Sequence, residues 1–127
     1  MKTFIISLLI FLSVIIFWLF ISDYMHSSLH ANIELIEEEI EKEIIKGNWG
    51  KAMFNFEVFI EKWKKQQTLY NLFIDQSAVM EINYSNARTK IYIENKDVTL
   101  ALGELSFIKE HLRSLHENEQ INLENIF

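Results

Sequence analysis

Four ionisable side chains fall at a spacing that could carry chemistry. Glu104 and His111 stand seven residues apart, two helical turns, and Glu81 and Arg88 repeat that interval upstream. On facing helices, such pairs can bring a carboxylate and an imidazole together, the raw material of a metal site or of proton transfer. The usual signature of a helical metal site is a pair of Glu-x-x-His motifs. Neither that pattern nor His-Glu-x-x-His occurs here. The spacing therefore predicts an ion-pair network joining two neighbouring helices, with Asp75 as a further member. His26, His30 and Glu34 form a second series at four-residue steps. They make a weaker metal candidate and read first as solvated residues on one helix face.

Other chemistries find less material. The chain has no cysteine, hence no thiolate nucleophile, thiolate zinc site or disulfide staple. Ser27, Ser28, Ser77, Ser85, Ser106 and Ser114 lack a Gly-x-Ser-x-Gly setting. "GNWG" lacks the Lys-Ser/Thr of a phosphate-binding loop and follows a helical stretch. The acidic run "EEEIEKE" would splay its carboxylates around a helix, whereas calcium needs them converging from a loop. It reads as a solvated face, with Glu38 and Lys42 paired four residues apart. No catalysis and no cofactor are expected.

What must position these residues begins with an apolar run. Residues 4–21, "FIISLLIFLSVIIFWLFI", carry no charge and only Ser7 and Ser13 as polar residues. At the helical rise they span about 27 Å, enough to cross a bilayer's hydrocarbon core. A signal peptide has an apolar region of about 7–15 residues and a small-residue cleavage site. The run is longer, and "SDYMHSSLHAN" offers only a poor site near Ala31. An uncleaved single-pass anchor is expected, dividing the chain into residues 1–23 and a domain of residues 24–127. Lys2 precedes the span, while no Lys or Arg follows it until Lys42. The positive-inside rule then places the amino terminus in the cytoplasm and the domain outside. The net charge of −6 argues against nucleic acid or an anionic surface as the partner.

The domain reads as all-α. It contains no proline, and Gly103 is the only glycine outside "GNWG", a composition that favours uninterrupted helices. Ile33, Ile36, Ile40 and Ile44 make one apolar stripe, in a helix that no breaker separates from the span. Met53, Phe56, Ile60 and Trp63, widened by Phe59, make a second. Met80, Tyr84, Ala87 and Ile91 make a third; Ala101, Leu105, Ile108 and Leu112, with Leu102 and Phe107 beside them, make a fourth. The apolar residues of "NEQINLENIF", namely Ile121, Leu123, Ile126 and Phe127, are expected to tuck back onto a groove.

An offset of 49 residues aligns two halves of this pattern. Trp49 falls on Val98, Ala52 on Ala101, Phe56 on Leu105, Phe59 on Ile108 and Trp63 on Leu112. Asn48 falls on Asp97, each suited to cap the next helix, and Gly47 suits a left-handed helix end. "KGNWGKA" thus reads as the elbow of a helical hairpin and "ENKDVTLA" as its echo. Trp49 and Val98 would plug the wedge at each turn, and Ala52 and Ala101 would let the helices close. Gly-x-Trp-x-x-Ala elbows are similar to those of tetratricopeptide-like repeats. Two units are too few for a solenoid, so an antiparallel bundle of two αα-hairpins is expected. Met53, Phe54, Phe56 and Phe59 span too wide an arc for one buried face, which makes Phe54, Phe56, Phe59 and Trp63 a candidate apolar interface.

Several stretches together carry a resemblance: the Lys2-led anchor, "GNWGKA", the "LFID" and Glu81 segment, Ala87 with Arg88, "FIKEH" and the terminal "NLENIF". The whole chain resembles a family of small single-pass bacterial proteins catalogued as domain of unknown function 4363, mainly from low-GC Gram-positive bacteria. The family often has His after the Asp of its "LID"; here that position is Gln76. The resemblance supplies no activity and implies an accessory role beside larger membrane proteins. The expected function is an extracytoplasmic helical interaction module anchored in the membrane and holding another membrane protein. The alternative is a ligand-sensing four-helix domain that acts through a partner.

Overall fold

The computed structural model describes residues 1–126, with the backbone alone for His116 and residues 118–126. Four helices make up the described residues. The first, α1 (Lys2–Lys46), is one unbroken rod of 45 residues, about 68 Å long at the helical rise. Its most apolar stretch, of mean hydropathy 3.1, is wholly unburied, long and apolar enough to cross a membrane. Its upper half then becomes a core element of a bundle with α2 (Trp49–Phe73), α3 (Gln76–Glu94) and α4 (Val98–Ile126). α3 packs against α2 and α4, and α1 closes the bundle against the same two. The first, second and fourth sequence stripes meet in the core: Ile36, Ile40, Phe56, Phe59, Trp63, Leu105, Ile108 and Leu112 are all buried.

One turn of α1 is not α-helical. Ile36–Glu41 is a π-helical turn, and the spacing of the core explains it. The buried positions Asn32, Ile36, Ile40 and Ile44 are separated by three successive four-residue steps. In a regular α-helix each such step overshoots a full turn by about 40°, so Ile44 would end roughly 120° out of line with Asn32. The looser π turn removes that drift and keeps all four on the core side. A carbonyl in this turn is satisfied from outside the helix: Asn55 Nδ2 on α2 donates to the Glu39 oxygen at 2.9 Å.

The two elbows repeat the 49-residue offset bond for bond. At the first, Gly47 N–H donates to the Ile44 carbonyl at 3.0 Å, Asn48 N–H to Glu43 at 2.9 Å and Ala52 N–H to Asn48 at 2.9 Å. At the second, Lys96 donates to Ile93 at 3.1 Å, Asp97 to Tyr92 at 2.9 Å and Ala101 to Asp97 at 3.0 Å. Gly47 takes the expected left-handed conformation, with φ of 81°, and its counterpart Lys96 does so with φ of 55° despite its side chain. Ala52 and Ala101 are both fully buried where the helices cross.

Two details of the elbows differ from expectation. Asn48 occupies the cap position but makes no side-chain cap; its Nδ2 donates instead to Glu43 Oε2 at 2.9 Å. That bond, together with Lys51 and Lys46 nearby, outweighs burial and holds the Glu43 carboxyl below its ordinary range. Asp97 does cap, accepting from Leu100 N–H at 3.1 Å. Trp49 packs against the core, whereas Val98 is 43 % exposed and is not among the residues packed on it.

The elbow pair makes a direct comparison of backbone strain. A Cβ on Gly47 would meet no atom within 4 Å, so Gly47→Ala is expected to cost about 1 kcal/mol from the left-handed backbone alone. Lys96→Gly removes the same strain, and after the added freedom of the unfolded chain it is expected to gain roughly 0.5 kcal/mol. Chemical denaturation of both variants in mild detergent checks the opposite signs.

The third stripe lies on the wrong face. Met80, Tyr84, Ala87 and Ile91 point to solvent, and the core side of α3 is formed by Val79, Ile82, Ser85, Asn86, Thr89 and Ile93. The acidic run also differs from a uniformly solvated face. Glu38 pairs with Lys42 as expected, but Glu37 and Glu41 turn toward α4 and Glu43 is buried. α4 continues straight to Ile126. The expected packing of Ile121, Leu123, Ile126 and Phe127 falls outside the described residues and side chains.

Candidate functional site

The network expected from the seven-residue spacings forms between α3 and α4. Arg88 Nε donates to Glu104 Oε1 at 2.9 Å and Arg88 Nη2 to Glu104 Oε2 at 3.3 Å, a two-pronged pair. Ser85 Oγ, fully buried, donates to the same Glu104 Oε2 at 2.5 Å. Two helical turns nearer the carboxyl end of α4, His111 Nε2 lies 2.7 Å from Glu81 Oε2, with its ring against Phe107 at 4.0 Å. The antiparallel run of α3 and α4 explains this crosswise pairing: the residue early in one helix meets the residue late in the other. Asp75 is not a member. It caps α3, accepting from Ser77 N–H at 3.0 Å, and that bond holds its carboxyl below the usual range.

The electrostatics describe a fastener rather than a reactive centre. Burial by itself would raise Glu104, but the hydrogen bonds from Arg88 and Ser85 and the Arg88 charge outweigh it and hold the carboxyl below its ordinary value. The same hydrogen bond raises Arg88. A carboxylate so engaged has both oxygens occupied and is a poor base. Because Glu104 ionises more readily folded than unfolded, its contribution is complete above the unfolded value of about 4.3 and is lost as pH falls through the lower folded value. Glu104→Gln is therefore expected to be less stable than wild type near pH 7 and to lose that difference below about pH 4. Denaturation midpoints of the two proteins across that range test the sign.

A second ionic seam ties α4 to α1. Lys109, mostly buried, reaches Glu41 at 2.9 Å and Glu37 at 3.5 Å, and Arg113 joins Glu37 at 3.1 Å. His26 and His30 line a groove of about 320 Å³ beside this seam, with Leu112, Arg113 and Glu117. Glu34 is not on that groove, and among the described residues no three metal-ligating side chains converge. The His26, His30 and Glu34 series stays a feature of sequence spacing only.

The aromatic set divides against the expectation. Phe56, Phe59 and Trp63 are buried and cannot form a surface; Phe54 alone is open, at 66 % exposure. Trp63 stacks on Tyr70 at 5.4 Å and donates from Nε1 to Asn83 Oδ1 at 2.7 Å. Tyr70 shares a hydrogen bond with the buried Ser28 hydroxyl, and Asn32 donates to Gln66 at 2.7 Å. These partners lie 20 to 42 residues apart, so no local pattern announces them. Near Trp63, a groove of about 350 Å³ between α2 and α3 is lined by Phe56, Ile60, Lys64 and Lys90. Asn86 also borders it, with a carbonyl oxygen sealed from solvent and without a hydrogen-bond partner among the described residues.

The surface that sequence reasoning missed is the one it placed in the core. Met80, Tyr84, Ala87 and Ile91 follow four-, three- and four-residue steps, so they share one face of α3 within about 60°. Tyr84 is 56 % and Ile91 54 % exposed. The stripe extends about 16 Å along the bundle axis, an apolar helix face on which no helix packs among the described residues. The 49-residue offset carried the signal: the core residues Ile36, Ile40 and Ile44 map onto Ser85, Thr89 and Ile93, not onto the third stripe.

A family model described as Domain of unknown function (DUF4363) matches residues 19–126. The match takes in the end of the apolar run and the helical bundle. No curated protein and no solved structure matches the chain.

Proposed function

The chain belongs to the DUF4363 family, which supplies no activity, and we propose that it is a membrane-anchored helical module that holds another membrane protein. Residues 4–21 cross the bilayer, residues 24–127 stand on the extracytoplasmic side, and the module works by packing, without chemistry. The observation that carries this reading is the exposed Met80–Tyr84–Ala87–Ile91 stripe on α3. It lies on a domain whose own core is already closed and runs parallel to a rod that has no loop between span and bundle. A partner helix standing upright in or above the same membrane matches its direction and length. Orientation follows from Lys2 before the span and the lack of any Lys or Arg after it until Lys42.

The test is affinity purification of the full-length protein from its native membranes in mild detergent, followed by mass spectrometry. Three forms are compared: wild type, a form with residues 4–21 replaced by an unrelated span, and the Tyr84→Asp/Ile91→Asp double variant. Both substituted residues are more than half exposed, so the bundle keeps its fold. Wild type is expected to bring down a stoichiometric membrane protein that the double variant loses. A wild-type protein that captures nothing stoichiometric refutes the reading. Retention by the double variant with loss on changing the span moves the contact into the bilayer.

A further inference from the structure

The turn joining α2 to α3 sits at the outer end of the apolar span. Trp18 belongs to the apolar run, three residues before its last member, Ile21. Phe73, the last residue of α2, meets Trp18 edge to face with ring centroids 5.5 Å apart. Above them, Tyr70 joins Ser28 and Gln66 joins Asn32, so α2 descends α1 in register until its end reaches the span. Ile21 and Ile74 pack onto the lower edge of the core. Beside Phe73, Leu72 is 73 % exposed, the highest value for any large apolar residue of the bundle among the described side chains.

These positions define a depth. With residues 4–21 in the hydrocarbon, Trp18 lies about 4.5 Å inside its outer boundary. A ring in contact with Trp18 cannot stand clear of the bilayer. We infer that the α2–α3 turn is a second membrane contact, in which Leu72 and Phe73 enter the outer part of the leaflet beside Trp18 while Asp75 and Gln76 stay among the headgroups. The occupant of this surface is lipid, because the surface continues the lipid-facing wall of the span. Trp at the acyl–headgroup boundary and apolar side chains just below it are the ordinary chemistry of such a contact. The bundle is then seated on the membrane at two points, the rod and the turn, and cannot swing about the rod's base.

This inference rests on the anchored reading, and the experiment separates the two. The chain has no cysteine, so Leu72→Cys, Leu100→Cys and Leu12→Cys each give one labelling site without further change. Leu12 lies within the span, and Leu100 is at the opposite elbow and half exposed. Each full-length variant is labelled with an environment-sensitive fluorophore and reconstituted into phosphatidylcholine–phosphatidylglycerol vesicles. Parallel samples contain lipid with a nitroxide high on the acyl chain, to read Leu72 and Leu100, or near its end, to read Leu12. The Leu72 label is expected to shift to the blue and lose most of its emission to the nitroxide lipid, and the Leu100 label to do neither. If the Leu12 label is quenched while the Leu72 label behaves like that at Leu100, the turn stands off the membrane and the inference fails. If the Leu12 label is also unquenched, the anchor itself is refuted and the inference falls with it. Circular dichroism showing wild-type helicity in each variant excludes unfolding as the cause.

Discussion

Trp63→Ala is expected to cost about 3–5 kcal/mol of folding stability, a large part of the 5–15 kcal/mol typical of a whole domain. The side chain is 1 % exposed and does three things at once. It fills the centre of the core, stacks on Tyr70 at 5.4 Å and satisfies the Asn83 carbonyl oxygen at 2.7 Å. Truncation leaves a cavity, removes the stack and orphans a partly buried acceptor. Trp63→Phe keeps most of the volume and the ring contact, so its cost should fall to about 1–2 kcal/mol, the value of the lost hydrogen bond and of imperfect filling. Phe54→Ala, at an exposed site, should change stability by less than about 0.5 kcal/mol. Denaturant midpoints for the three variants test the division of the aromatic set. A Trp63→Ala protein as stable as Phe54→Ala would show that the core is not centred on this residue.

The second large effect comes from the length of α1. Inserting one alanine between Ile33 and Glu34 rotates everything beyond it by about 100° relative to everything before. Met25 and Leu29 are buried on one side of the insertion and Ile36, Ile40 and Ile44 on the other. Both groups cannot stay in the core, and losing either should cost more than about 3 kcal/mol. Deleting Glu38 acts in the opposite sense. It takes one residue from the π turn, and the buried positions then follow the four-, three- and four-residue steps of a regular α-helix. Only the exposed Glu38–Lys42 pair and the bond from Asn55 to the Glu39 carbonyl are at stake, about 1 kcal/mol together. The deletion should therefore be the milder change. Limited proteolysis and unfolding midpoints compare the two, and equal damage would show that the π turn is not a correction of phase.

What the sequence made legible depended on which side chains did the positioning. The elbows were readable because Gly47 and Asp97 have backbone roles few other residues fill, and Ala52 with Ala101 marks a close crossing by size alone. The Arg88–Glu104 and Glu81–His111 pairs were readable because two equal spacings on adjacent antiparallel helices must meet crosswise. α3 was misread because its buried face is built of Ser85, Asn86 and Thr89 while larger apolar residues stand outside. Hydropathy follows the larger residues, so it finds a face but not the face that is covered. The acidic run misled in a similar way. Glu37 and Glu41 look solvated until α4 brings Lys109 and Arg113 to them. The Ser28–Tyr70 and Asn32–Gln66 bonds join residues distant in sequence, and nothing local encodes them.

Under the function proposed above, the unbroken rod would also set how the domain searches for a partner. A domain on a flexible linker explores a volume that grows with linker length, and its effective concentration near a partner falls accordingly. With the span in the bilayer as proposed, the helix that leaves the hydrocarbon is the helix that enters the core, so the α3 stripe would be held at one height above the membrane. Its remaining freedom is lateral diffusion and rotation about the membrane normal. Encounter becomes a two-dimensional problem: any partner whose complementary face lies at that height is met edge-on, and one at another height is never met at all.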